Sequence, residues 1–204
     1  VAAISIGGTL AYLTAKTNTV KNTFTVGNVK ITLDEGRTKD GKFIDDGKTR
    51  TDVNKEDGNS YKLMPGGSYD KDPTVHVDAN SEDCYVRVNV TVNKYTDLVS
   101  VFGESVDLSA IFTGFDSSKW ERANIIDNKD GTVTYIYNYK TIAKANDALV
   151  LFTGITLPAS VNETDLPKLN GLNITITADA IQASGFTGDT AMASAWTAFQ
   201  QQNG

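Results

Sequence analysis

The sequence is short of the residues that most enzyme sites need. Its 204 residues include one cysteine and one histidine. A single cysteine, Cys84, excludes an intramolecular disulfide, which a chain of this size can do without. A single histidine, His76, cannot build a zinc site of the two-histidine kind. A Ser-His-Asp triad would have to use His76, whose neighbours Val75 and Val77 alternate with it along a strand and leave it on the outer face. No metal site, no cofactor and no catalytic residue is therefore expected. Glycine pairs such as Gly7-Gly8 and Gly66-Gly67 fit neither a phosphate loop nor a dinucleotide fingerprint.

Basic clusters are missing too. The formal charge is -6, which argues against nucleic acid and anionic membrane surfaces as partners. No apolar run is long enough for a stable membrane span. Val1 to Ala15 (VAAISIGGTLAYLTA) is uncharged but short and glycine-bearing, like the tail of a secretory leader running into small residues. Acidic pairs such as Asp45-Asp46 read as solvated loops. Asp127 to Gly131 has the look of a calcium loop but carries Lys129 at a ligand position, so it reads as a turn.

What the sequence does have is period-two alternation, the strand signal. Tyr85 to Asn93 sends Val86, Val88, Val90 and Val92 one way and Arg87, Asn89 and Thr91 the other. Leu172 to Ala180 and Thr132 to Lys140 repeat the pattern, the latter with Val133, Tyr135, Tyr137 and Tyr139 on one face. Pro73 to Ala79 adds a strand with Val75 and Val77 inward. Leu149 to Leu157 reads as one continuous apolar strand. Asp127 to Gly131 turns a hairpin between Trp120–Ile126 and Thr132–Lys140. Between Thr23 and Leu33 the alternation slips phase at Gly27-Asn28, as at a bulge. Dry faces of this sort must stack, so an all-β antiparallel sandwich follows. A few short helices are predicted over Val106–Phe112, Thr164–Leu169 and Thr190–Gln201.

The organisation is simple. Residues 1–20 form an extended N-terminal strand and its connection, and residues 21–204 a single sandwich domain. Residues 34–60 form a polar surface excursion with a small hairpin through Lys42–Ile44. Cys84 is expected to be partly buried at the start of a strand. Asn89, Asn162 and Asn173 head glycosylation sequons.

Two stretches resemble the TasA/camelysin family of secreted fibre proteins. One is GGTLAYLTAKTNTVKNTFTVGNVKITLDE, Gly7 to Glu35, with its Gly-Gly-Thr boundary and apolar-Thr-Leu strand end. The other is LMPGGSYDKDPTVHVDANSEDCYVRVNVTV, Leu63 to Val92. The resemblance covers about the first half of the chain. It implies a jelly-roll sandwich and a homopolymeric extracellular filament, of biofilm-matrix or pilus type, joined by donor-strand exchange. Part of that family is called a metalloprotease, a role for which this sequence has no motif. The expected partner is thus another copy, with room for a minor anchoring or accessory subunit.

In the N-terminal run Ile4, Ile6, Leu10 and Tyr12 share one face, while the opposite face holds Ala3, Ser5, Gly7, Thr9 and Ala11. A strand of that kind can complete a neighbour's sandwich and build a head-to-tail fibre. The rival reading is a monomeric surface binding module or adhesin, with Trp120 or Trp196 and the tyrosine row as an exposed aromatic platform.

Overall fold

In the computed structural model the described residues are 14–18, 21–23, 29–45, 47, 50, 59, 61–103 and 111–203. The chain is all-β and sandwich-like, with antiparallel strands in two layers. The first layer is a six-stranded sheet. Its members are β1 (Thr14–Asn18), β2 (Lys21–Thr23), β8 (Cys84–Val92), β10 (Trp120–Asp127), β11 (Val133–Tyr139) and β14 (Ile174–Gln182). They lie in the order β10-β11-β8-β14-β1-β2.

The alternation read from the sequence builds its centre. Val86, Val88, Val90 and Val92 of β8 are buried, as are Val133, Tyr135 and Tyr137 of β11 and Ile176, Ala178 and Ala180 of β14. Residues directly opposite, such as Val90 with Tyr135 and with Ile176, share a face, and such cross-strand pairs stabilise a sheet. The hairpin between β10 and β11 also forms, with Asp127 opposite Val133.

The second layer is built from short strands in two three-stranded sheets. These strands are β3 (Ile31–Asp34), β6 (Ser68–Asp70), β7 (Thr74–Val77), β9 (Phe112–Thr113), β12 (Ala148–Val150) and β13 (Gly154–Thr156). One sheet has the order β12-β7-β3 and the other β6-β13-β9. The two sheets run on from each other: β6 leads into β7, and β12 into β13. Lys71 N–H donates to Thr153 O and Leu151 N–H to Pro73 O across the break. Pro73 has no N–H with which to continue the ladder. The Leu149–Leu157 run is accordingly two strands rather than one. At its middle, Leu151 and Phe152 are buried, and Phe152 stacks on Phe112 with ring centroids 4.0 Å apart. Gly154 is required where β13 meets β6, because a Cβ there would lie 2.8 Å from the Tyr69 carbonyl oxygen.

Other expectations change too. Most of the expected Val106–Phe112 helix lies outside the described residues, and its last residue, Phe112, belongs to β9. A helix that was not expected, α1 (Tyr95–Phe102), forms upstream and buries Leu98. The Thr164–Leu169 helix shrinks to a 3-10 turn, Leu166–Leu169, entered through Asn162, whose Oδ1 accepts the N–H groups of Thr164 and Asp165. The excursion after Ile31–Asp34 is not wholly superficial, since Asp34 and Glu35 are buried. Its hairpin does form, as β4 (Thr38–Lys39) and β5 (Lys42–Phe43), over Asp40 and Gly41, both at positive φ, as a tight primed turn requires.

The terminal helix α2 (Ala191–Asn203) packs Trp196 and Phe199 on Tyr85 and Ile181, the other face of the large sheet. That face is therefore not uniformly wet. Asp179 and Asn138 point away from the core, as their parity demands, yet are buried. The Arg87 guanidinium carbon lies 4.0 Å from the centroid of the Trp196 ring.

Candidate functional site

A cleft of about 750 Å³ opens where the two layers part. Leu98 and Phe102 of α1, Ile155 of β13, Ile174 of β14 and Leu157 form its apolar wall; Asn59, Tyr61 and Lys71 are polar members at its border. Lys71 is buried and ion-paired with the buried Glu35. Burial, together with the charge of Glu35, pushes the Tyr61 phenol up to about 12, against the weaker pull of Thr38 and Asn59. Its hydroxyl donates to Asp70 O at 3.0 Å. The cleft is thus an apolar trough with one firmly anchored polar side.

Next to it Arg50 ties the polar excursion to the sandwich. Its Nε donates to Asp34 Oδ1 at 2.9 Å, its Nη1 to Asp72 Oδ2 at 2.6 Å, and its Nη2 to Asp72 O and Thr74 Oγ1. Gly36 N–H donates to the other Asp72 carboxylate oxygen. Asn59 closes the loop from the far side, accepting from Thr38 N–H and donating to Gly36 O. Planar, bidentate donors make a guanidinium the suitable pin between two carboxylates.

Burial drives the Asp34 carboxyl up, but bonds from His76 and Arg50, with their charges, outweigh it and hold the carboxyl below its usual range. A depressed folded pKa adds stability that is present above the unfolded value of 3.8 and fades as pH falls through the folded value. Asp34→Asn should therefore flatten the loss of stability below about pH 4, measured as urea midpoints across an acid series. An unchanged acid limb would show that this contact contributes nothing to acid stability.

His76 lies 3.1 Å from Asp34 Oδ2 through Nε2, on the face its parity assigns, half-exposed. Its neighbour is a structural carboxylate held by Arg50. Cys84 starts β8 as expected but is fully buried rather than partly so. Burial first, then Asp83 and Asp147, push its thiol up to about 12. A thiolate is the reactive form, so Cys84 should be silent to a disulfide-exchange reagent in the native protein. One thiol should appear on unfolding in denaturant; prompt native labelling would contradict the burial. Among the described residues, no group of three His, Cys, Asp or Glu side chains could hold a metal ion. Among the same residues no helix is long and apolar enough to cross a membrane.

Ile4, Ile6, Leu10 and Tyr12 lie outside the described residues. Just downstream, β1 is antiparallel to β14, with Ala15 opposite Ala180, and to β2, with Thr17 opposite Asn22. Asn162 and Asn173 are exposed. Asn89 is half-buried and its amide donates to Asp179 Oδ2 at 2.8 Å and to Thr177 Oγ1, so glycosylation there would break both bonds. The aromatic platform does not exist as a surface: Trp120 is 1% and Trp196 4% exposed, and Tyr135 and Tyr137 are fully buried. Trp120 instead donates Nε1–H to Val150 O at 2.9 Å, closing the side of the sandwich. Sequence reasoning missed Arg50, Glu35 and Lys71, because each sits in polar sequence that reads as loop.

Fold and site together define an all-β, sandwich-like protein with an apolar interlayer cleft. No protein-family model, curated protein or solved structure matches the chain.

Proposed function

We propose that this protein is a structural subunit of an extracellular filament, secreted and assembled head-to-tail by donation of its N-terminal strand. The observation that carries the reading is the apolar cleft between the layers, taken with the alternating run that precedes β1. A strand with Ile4, Ile6, Leu10 and Tyr12 on one face offers the shape and chemistry such a trough takes up. Because donor and acceptor are different surfaces of one chain, the contact does not close and yields a fibre.

The resemblance of Gly7–Glu35 and Leu63–Val92 to the TasA/camelysin fibre proteins supports the same reading, and with it a jelly-roll arrangement of the strands and a place in a biofilm matrix or pilus-like fibre. The subunit acts by assembly rather than by catalysis, with copies of itself as partner and no cofactor. The rival, a binding module with an aromatic platform, loses its main support because those rings are buried. Electron microscopy of the purified protein tests the proposal. Filaments of uniform width are expected; a protein that stays monomeric at high concentration would overturn it.

A further inference from the structure

The large sheet has a gap where it borders the cleft. Strand β14 runs from Ile174 to Gln182, and β8 pairs with its whole length on one side. On the other side β1 covers only the later part, from Ala178 opposite Thr17 to Ile181 opposite Thr14. It can go no further, because Lys21 already lies opposite Asn18 in β2 and the chain has reversed. Among the described residues, no strand pairs with residues 174–177 on that side. Ile174, at the start of this stretch, is part of the cleft wall. A strand edge of this kind is a template for one more strand.

The gap has a defined face pattern. Ile174 lies opposite Val92 and Ile176 opposite Val90, all of them on the core side, while Thr175 lies opposite Thr91 on the outer side. An entering strand must therefore present apolar residues at two alternate positions. Chain direction says which strand that is. Thr14 stands opposite Ile181, so residues 1–13 join the sheet at the end of β14 away from the cleft. To fill its own gap the run would have to turn and come back along β14, about 23 Å at roughly 3.3 Å per residue. The gap of a second copy stacked end to end lies straight ahead. A run entering that copy from the cleft end, with its first residues deepest, is antiparallel to β14.

We infer that the donated run of a second copy lies antiparallel to residues 174–177 of β14, with Ile4 opposite Ile176, Ser5 opposite Thr175 and Ile6 opposite Ile174. This rests on the strand-donation reading and adds to it an acceptor strand, a direction and a register. A slip of one residue would turn the apolar face of the run outward. A slip of two would set Ala2 or Gly8 against an isoleucine, and neither fills the position. Leu10 and Tyr12 are also a bulky alternate pair. Tyr12, however, is next but one to Thr14, which is fixed in the donor's own sheet, so no length is left to cross between subunits. Placing Ile4 and Ile6 in the gap leaves Leu10 and Tyr12 to the remaining apolar wall of the cleft.

Disulfide trapping between full-length chains tests it. Chains carrying Ser5→Cys are mixed with chains carrying Thr175→Cys under mild oxidation, and linked peptides are identified by mass. Directly opposed residues on antiparallel strands have Cα atoms about 4.5–5.5 Å apart, inside the range a disulfide spans, so a mixed dimer should form. Asn173→Cys in place of Thr175→Cys moves one step along the same face, where diagonal neighbours lie about 7–8 Å apart, and should trap several-fold more slowly. Ser194→Cys, exposed on α2, measures random collision, and the buried Cys84 stays silent. Circular dichroism melts establish that each variant folds. Trapping with Thr175→Cys no faster than with Ser194→Cys, or slower than with Asn173→Cys, overturns the inference. So does a doubly substituted chain, Ser5→Cys with Thr175→Cys, that closes its disulfide within one chain, since the run would then fill its own gap. Filaments whose chains do not trap would sink this placement while leaving strand donation intact; trapped dimers without filaments would keep the placement and remove the filament.

Discussion

Ile6→Asp should abolish polymerisation while leaving the monomer's melting temperature almost unmoved. Successive strand side chains point to opposite faces, so Ile4, Ile6, Leu10 and Tyr12 project together while Ser5 projects the other way. Fully burying one isoleucine is worth about 1.5–3 kcal/mol, and truncating it to alanine in a packed groove costs about 2–5 kcal/mol with the cavity included. Aspartate costs more, because the groove would hold an unpaired carboxylate. Ser5→Asp should be far milder. Removal of Val1–Ala11 should give a folded monomer that forms no fibres, since β1 begins at Thr14 and its pairing with β14 is retained. Fibre yield by sedimentation beside circular dichroism decides the matter. Normal fibres from both Ile6→Asp and the truncated chain would mean that another segment is the donor. Fibres from Ile6→Asp but not Ser5→Asp would invert the faces.

Glu35→Ala should be among the most damaging single changes to the fold itself. Lys71 is 7% exposed and Glu35 8% exposed, and their side chains form a direct ion pair. Removing the carboxylate leaves an ammonium in a buried site with its counter-charge gone. Breaking a buried pair from one side costs about 3–5 kcal/mol, whereas replacing both partners by apolar residues of similar volume is often neutral or stabilising by about 1–4 kcal/mol. The double change Glu35→Leu with Lys71→Met should therefore recover most of the loss. Urea midpoints of the three variants measure this. A loss under about 1 kcal/mol for Glu35→Ala would place the pair with surface ion pairs. A double variant as poor as the single would show that packing, not charge, is what Glu35 supplies. The pair also borders the cleft, so fibre yield of the double variant reports whether an anchored polar side matters to assembly.

The central strands were legible because period two is a backbone property: whichever face is dry, alternate residues must reach it. Val86 to Val92 and Val133 to Tyr137 carry that signal without any knowledge of the partner layer. The Asp40-Gly41 and Asp127–Gly131 turns are local in the same sense. The terminal helix is as well, through its run of alanine, methionine and glutamine. Helix α1 left a readable signal too, Tyr95, Leu98, Val99 and Phe102 at helical spacing, lost among flanking strands.

What only tertiary structure decided is where separate segments meet. The break in Leu149–Leu157 faces Pro73 in the link between β6 and β7, far away in the chain. Trp120 and Trp196 look alike as lone tryptophans. One is buried because Val150 O lies within reach of its Nε1–H, the other because α2 folds back onto Tyr85 and Ile181. Arg50, Asp34 and Asp72 are scattered through polar sequence, and their meeting depends on β3 pairing with β7, with Asp34 opposite Thr74. Alternation therefore determined the all-β class and the inward faces by itself, since it needs only the chain's own geometry. The cleft, the buried Lys71–Glu35 pair and the shielding of the aromatic rings depend on long-range contacts, whose energies are set by partners far away in the chain.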